Sequence, residues 1–357
     1  MIDLFHPYIN QEMRDAVDEV LHSRFIGQGP KVDLFEKKFS QYFNTSYSVS
    51  LNSGTSALET AYDLIGLKEG DEVISTPLTC TATNLPLLRR GVKIVWADIL
   101  EDTLCIDPVD ARSKITGNTK AIIQVHLGGI KAECYDPDAD PYIPVVSDAC
   151  QALGIFVGDY TCNSFQAIKH ITTGDGGMIS MNEESDYKTA KLLRWFGIDR
   201  EKKIANNWQA YQKRAMTFDI ELPGTKRHMT DIAAAMGIVG LKYYEEVINH
   251  RESIFNIYKD ELEFLGGIKL VDGNENTYWL ATVLVEKRDD FAKMCFENDI
   301  DTNVVQVRND IYKIFGGKRA DLPVMNKLEE KYISIPLTMN TVEEDAYYIV
   351  KKIKEGW

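Results

Sequence analysis

The side chain with the most chemical promise is Lys169. It stands in the run Ser164-Phe165-Gln166-Ala167-Ile168-Lys169-His170-Ile171-Thr172-Thr173-Gly174-Asp175-Gly176-Gly177. Small residues let a backbone approach a ligand closely, and hydroxyls bind phosphate. A lysine in such a crowded, partly dry setting can lose its proton and condense with an aldehyde, which is what pyridoxal phosphate (PLP) chemistry requires. The same run also reads as a loop of small residues with an incidental lysine. A second candidate is the junction Ser53-Gly54-Thr55, between an alternating segment and an amphipathic one. The first turn of a helix there would offer free N–H groups and a positive dipole end to a phosphate. Ser53 would serve equally well as an ordinary helix cap. The third is Asp148 in Ser147-Asp148-Ala149-Cys150-Gln151. A carboxylate at the end of a parallel strand lies where α/β sheets hold ligands and could pair with a pyridinium nitrogen; it also reads as a turn or cap aspartate.

These residues need a framework to hold them. Helical spacing covers residues 9–22, with Met13, Val17, Val20 and Leu21 on one face, and a second helix carries Val32, Phe35, Phe39 and Phe43. Strands are expected at Tyr47–Leu51, Glu72–Ser75, Lys93–Ala97, Lys120–Val125 and Ile143–Ser147, with helical segments between most of them. Alternating β and α units predict a parallel sheet covered on both faces. A long helix is predicted from Thr230 past residue 245, leading into a second, α+β domain. There Ile268–Val271, Tyr278–Val285, Asp301–Val307 and Tyr332–Leu337 read as strands and Asp289–Asn298 as a helix. A capping box at Thr341–Glu344 opens the last helix. The expected domains are residues 1–245 and 246–357.

Composition narrows the function classes. The chain has 357 residues, 44% hydrophobic and 26% charged, with a net charge of −14, which fits about two domains with ample core. The acidic balance argues against nucleic-acid binding through a general basic surface. The six cysteines form no CxxC pair and no zinc spacing, so they read as reduced thiols and no metal is expected. No apolar run approaches the roughly 18 residues of a membrane span, and the N-terminus lacks the pattern of a secretory leader. A cytoplasmic protein with no membrane partner is the expectation. No GxGxxG follows the first strand, against a dinucleotide-binding enzyme.

Taken in order, Ser-Gly-Thr, Asp-Ala-x-Gln and Ser-Phe-x-x-x-Lys-x-x-Thr-Thr-Gly-x-Gly-Gly resemble the DegT/StrS-type nucleotide-sugar aminotransferases, PLP enzymes of the aspartate-aminotransferase fold. Gly27–Val32, Thr116–His126, His228–Ala234 and Tyr332–Leu337 are also similar to motifs of that family. The resemblance spans essentially the whole chain. It implies fold type I: a large domain around a mostly parallel seven-stranded sheet, plus a smaller α+β C-terminal domain. It also implies roles. Lys169 would carry PLP as a Schiff base and then act as general base. Asp148 would pair with the pyridine nitrogen and Gln151 with the ring hydroxyl. Ser53, Gly54, Thr55 and Ser164 would hold the phosphate. Lys226 would reach the phosphate of a neighbouring copy across a homodimer with shared active sites. The implied reaction moves an amino group from an amino acid, L-glutamate, to a keto-sugar linked to a nucleotide diphosphate, leaving 2-oxoglutarate. Pyridoxamine phosphate (PMP) is the intermediate cofactor form.

The departures from the family pattern are specific. Cys80 follows Pro77-Leu78-Thr79 where an aromatic or bulky residue usually covers the ring, and Asp175 replaces a customary Glu. The segment between Asp148 and Lys169 is short, and Asp136-Pro-Asp-Ala-Asp-Pro141 replaces a crossover helix. Arg308 and Asn309 are candidates for substrate contact, the alternative being a structural Arg308–Asp310 pair. His170 and His228 could touch the sugar or simply pack, and Arg194 with Trp195 could edge the cleft. Trp208 lies in a charged stretch read as core or lid packing. Two other functions fit the same motifs. One is a nucleotide-sugar dehydratase, in which the lysine position is a histidine. The other is a PLP-binding regulatory protein without turnover.

Overall fold

The computed structural model describes residues 1–133, 142–201, 219–220 and 222–357; the Asp136–Pro141 run and Trp208 fall outside them. The chain opens with α1 (Gln11–Leu21), capped by the Asn10 side chain, which accepts the Met13 N–H at 2.9 Å. α2 (Pro30–Phe43) starts on a proline, whose missing N–H costs nothing there, and ends at Asn44 in the left-handed conformation. It buries Val32, Phe35 and Phe39.

β1 (Tyr47–Leu51) leads into α3 (Gly54–Ile65). β2 (Glu72–Ser75), α4 (Thr81–Arg89), β3 (Lys93–Trp96), α5 (Pro108–Ser113), β4 (Thr119–Val125) and β5 (Val145–Asp148) follow. β6 (Tyr160–Ser164), β7 (Gly177–Met181) and α6 (Glu184–Leu193) complete this part. The seven strands form one sheet in the order β1-β7-β6-β5-β4-β2-β3. β3 through β6 are parallel, and β7 runs antiparallel to both its neighbours. The expected mostly parallel sheet is therefore present. Its strands are buried almost throughout, as parallel strands between two helical layers must be. Leu58, Tyr62, Ile123, Val146 and Ile179 fill one side, each large side chain contributing roughly 1.5–3 kcal/mol by leaving water.

The long helix expected after Thr230 is two. Thr230 caps α7 (Asp231–Lys242) through its hydroxyl, which accepts the Ala233 N–H at 3.2 Å. The axis breaks at Tyr243, whose N–H turns to the Gly240 carbonyl at 3.1 Å, before α8 (Tyr244–Leu262) begins. Beyond it lie β8 (Ile268–Leu270), β9 (Ala281–Val285), α9 (Arg288–Glu297), α10 (Pro323–Leu328), β10 (Tyr332–Ile335) and α11 (Glu343–Glu355). β10-β9-β8 make an antiparallel sheet backed by Phe255, Tyr258, Phe291 and Ile349.

Three expectations shift here. The strand expected from Tyr278 starts at Ala281, because Tyr278 is left-handed (φ 56°) and residues 277–280 pair elsewhere. Thr277 and Leu280 donate instead to the carbonyls of Gly129 and Gly128, just past β4. Asp301–Val307 forms no strand; only Asn303 bridges Ser334. The last helix is capped one residue later than expected. The Asp345 carboxylate accepts the Val342 N–H at 3.2 Å, while the Thr341 hydroxyl accepts the N–H of Thr338.

Candidate active site

The sheet register brings the ends of β4, β5 and β6 level, with Val125 opposite Asp148 and Asp148 opposite Cys162. Asp148 closes β5 and is buried. Its Oδ2 accepts the Thr83 hydroxyl at 2.6 Å and its Oδ1 the Cys150 N–H at 3.1 Å. The Thr83 hydroxyl in turn contacts that of Thr79 at 2.8 Å. Among the described residues, no lysine, arginine or histidine forms an ion pair with this carboxylate. A buried charge without a cation is costly, so a cationic ligand group against Asp148 would relieve that cost.

Lys169 is half-buried on the loop after β6. Burial pushes its ε-amine down to about 8, partly opposed by the nearby Cys150, Asp148 and Cys80. That loop is closed by its own backbone: Phe165 donates to Gly176 and Thr173 to Phe165, each at 2.9 Å. The Thr173 hydroxyl bonds the Asp175 carbonyl, and the Thr172 hydroxyl accepts the Gly174 N–H. These threonines, offered by the sequence as phosphate ligands, are buried and hold the turn instead.

The N-terminus of α3 sits beside the end of β6. Ser53 caps it, accepting the Ser56 N–H at 3.1 Å, so the cap reading of Ser53 is realised. The N–H groups of Gly54 and half-buried Thr55 belong to the first turn, where no intrahelical acceptor exists. A Cβ on Gly54 would lie 2.8 Å from Cys150 Sγ and 2.9 Å from Ser164 Cβ. One on Gly177 would collide with the Ser53 carbonyl. Both glycines are therefore required for the helix end, Ser164 and the lysine loop to close around one spot. Gln151 is buried beside Asp148, its amide oxygen accepting the Gly128 N–H at 2.9 Å. Only its amide nitrogen remains for a ligand oxygen. Cys80 is exposed at the start of α4 and close enough to Lys169 to influence its charge. Lys226 is exposed too, just before α7.

PLP fits these groups. The first turn of α3 with Ser164 suits a phosphate, Asp148 a protonated ring nitrogen, and Lys169 an aldehyde carbon.

The outlying candidates are placed differently. Arg308 is fully buried, and every guanidinium nitrogen is bonded within the chain, to Asp310 at 2.7 and 2.6 Å and to Asn326 and Glu329. It is the structural pair, not a substrate-facing cation. Asn309 is equally buried, donating to the Thr79 carbonyl at 2.7 Å and accepting from Asn84. Together they clamp the loop that presents Cys80. Arg194 is buried against the Glu36 carboxylate and the Ser50 carbonyl, bracing α2 on β1 rather than edging this cleft. His170 is buried with Nε2 donating to the Thr277 carbonyl at 2.6 Å, and burial pushes it down to about 3. It packs. His228 meets Trp195 edge-on at 4.5 Å, and burial lowers it to about 4. A cavity of about 900 Å³ between α2 and α6, with Arg194 on its wall, contains neither Lys169 nor Asp148.

Two site residues escaped the sequence. Thr83 was detectable in principle, since Thr79 and Thr83 are hydroxyl residues four apart at a strand-to-helix junction. Trp279, whose ring faces Lys169 Nζ at 3.6 Å, left no local signal because the contact is long-range. No metal-binding cluster occurs among the described residues, and none of their helices is long and apolar enough to cross a membrane.

Comparison with known proteins agrees with this geometry. The sequence pattern of the DegT/DnrJ/EryC1/StrS aminotransferase family matches residues 7–354. The chain is 32% identical to the UDP-4-amino-4,6-dideoxy-N-acetyl-beta-L-altrosamine transaminase of Campylobacter jejuni, over 80% of this chain and 77% of that protein. Among solved structures, the sugar aminotransferase CalS13 from Micromonospora echinospora superposes with a TM-score of 0.91 at 27% identity, covering 100% of both chains. Spr1654 from Streptococcus pneumoniae in its PLP form gives 0.87 at 26%, covering 99% of this chain and 98% of that one. This chain belongs to the DegT/DnrJ/EryC1/StrS aminotransferase family.

Proposed function

We propose that this protein, with PLP held on Lys169, moves an amino group from L-glutamate to a keto-sugar carried on a nucleotide diphosphate, in the cytoplasm. The observation that carries the proposal is the buried Asp148 carboxylate, without an ion-pair partner among the described residues, in electrostatic reach of a lysine whose ε-amine is depressed to about 8. The family membership and the named sugar substrate of the Campylobacter relative support the substrate class. When bound, the cofactor supplies an electron sink that stabilises negative charge on the carbon being aminated or deaminated.

The chain's own residues do the rest. Asp148, oriented by Thr83 and the Cys150 N–H, would keep the ring nitrogen protonated. Lys169 Nζ forms the covalent attachment; once released, about a tenth of it is neutral at pH 7 if its pKa stays near 8. It would then serve as the base that moves a proton between the donor carbon and the cofactor's aldehyde-derived carbon, on the face that Lys169 occupies. The α3 N-terminus and Ser164 would anchor the phosphate, and the free amide nitrogen of Gln151 would be available to the ring oxygen. Exposed Lys226 would reach the phosphate of a second copy in a homodimer with shared active sites. Sedimentation as a monomer would rule out that shared arrangement.

The test is amine transfer. The PLP-loaded protein is incubated with 15N-labelled glutamate and a panel of UDP- and GDP-linked keto-sugars, and the products are read by mass spectrometry. Labelled amino sugar is expected. A deoxy sugar without nitrogen would identify a dehydratase instead, and no label with any donor would leave a non-catalytic PLP binder.

A further inference from the structure

Lys169 does not rest in open space. Its Nζ lies over the Trp279 ring, 3.6 Å from the centroid. Trp279 is buried, and its ring is fixed from several sides. The indole N–H donates to the Ile168 carbonyl at 3.0 Å. Phe5 stacks on the ring at 6.0 Å. The Trp279 carbonyl accepts Arg251 Nη1 at 3.1 Å, and the same nitrogen donates to the Leu337 carbonyl at 2.7 Å. Gly129 makes this possible: a Cβ there would sit 2.8 Å from the Trp279 backbone nitrogen. One indole therefore grips the peptide bond before the lysine and presents its face to the lysine's own nitrogen.

We propose that Trp279 is a positioning residue for Lys169: its face seats the ε-ammonium whenever the nitrogen is not covalently engaged, and its bond to Ile168 fixes where the lysine swings from. Lys169 is taken here as the cofactor-bearing lysine proposed above, although the contact itself needs no cofactor. The ring face attracts the ammonium and not the neutral amine, so losing the proton also releases the nitrogen. The other groups facing Lys169 are Asp148 at the end of β5, Cys150 just after it, Cys80 at the start of α4 and Arg251 from α8. The adjoining His170 is held neutral by burial.

The experiment uses the full chain stripped of cofactor. Reductive methylation of Lys169, followed by peptide mass spectrometry across pH, yields the pKa of that amine. It is measured for the parent, for Trp279→Phe and Trp279→Leu, and for the parent grown with mono- and difluorotryptophan, which drains the ring face without changing its shape. Removing the seat lowers the pKa, because the charged form alone loses an attraction. The expected fall is about one unit for Trp279→Leu and less for Trp279→Phe, with a graded fall along the fluorinated series. If Trp279→Leu fails to fold by circular dichroism, the phenylalanine variant and the fluorinated series decide. An unchanged pKa across them overturns the proposal. Borohydride trapping of the same variants, unmethylated and reloaded with PLP, separates it from the cofactor assignment. A normal adduct on Lys169 with an invariant pKa sinks only the Trp279 inference. A shifted pKa with no adduct keeps the inference and sinks the cofactor assignment.

Discussion

At Lys169, burial and charge pull in opposite directions, and burial wins. The folded chain holds this amine near 8, below its ordinary value of 10.5. Between those two values the unfolded chain binds more protons than the folded one, so stability rises with pH through that window. Below about pH 8 the cofactor-free protein carries the full cost of a desolvated ammonium. Lys169→Met keeps the volume and removes the charge. Differential scanning fluorimetry of cofactor-free samples should find the variant melting a few degrees above the parent at pH 7, the gap closing toward pH 10. A variant that melts at or below the parent at pH 7 would contradict the burial argument. The same reasoning explains which residues were legible. Lys169 and Asp148 stand out because each lies in a local pattern, a glycine-rich turn and the end of a parallel strand, although their partners Trp279 and Thr83 are far along the chain. Arg308 and His170 kept two readings open and Arg194 read only as a cleft residue, since Glu329, Thr277 and Glu36, which help to satisfy them, are distant along the chain.

At the scale of elements, the site depends on how closely α3 can approach the end of β6. Ser53 ends the strand side, Gly54 starts the helix, and no side chain fits between the helix end and Ser164. A methyl group in Gly54→Ala must push Cys150 Sγ or Ser164 aside, which costs about 1–3 kcal/mol in a packed region. The first-turn N–H groups would move away from the phosphate with it. Urea unfolding should register that loss, and absorbance titration should show PLP affinity reduced at least about tenfold. Unchanged affinity would mean that the phosphate seats elsewhere. The pattern of strands and helices around this junction was readable because hydrophobic period and caps coincide, as at Asn10, Ser53 and Thr230. The failures came where tertiary contacts override period. Residues 277–280 are apolar enough for a strand, yet pair with the turn after β4. Val304, Val305 and Val307 favour extension, but beyond the single Asn303 bridge no strand accompanies them.

Across the whole molecule, the two sheets meet at the site. The Gly128–Gly129 turn of the large sheet receives Thr277 and Leu280 from the small one, which delivers Trp279 to Lys169. Asn309 ties the region after α9 to Pro77 and Thr79, and Arg308 bridges Leu78, which steadies Cys80. Even the first residues join in: Ile2 bridges Ile300, and Leu4 donates to Asp301. None of these pairings has a local signature, so the sequence revealed the parts of the site and not how they are braced. The central claim is a covalent one, and one measurement reaches it directly. The purified PLP-loaded protein is reduced with borohydride, digested and mapped by mass spectrometry. A pyridoxyl group on Lys169, absent after prior incubation with glutamate, is the predicted result; a label on any other lysine, or none at all, would contradict it.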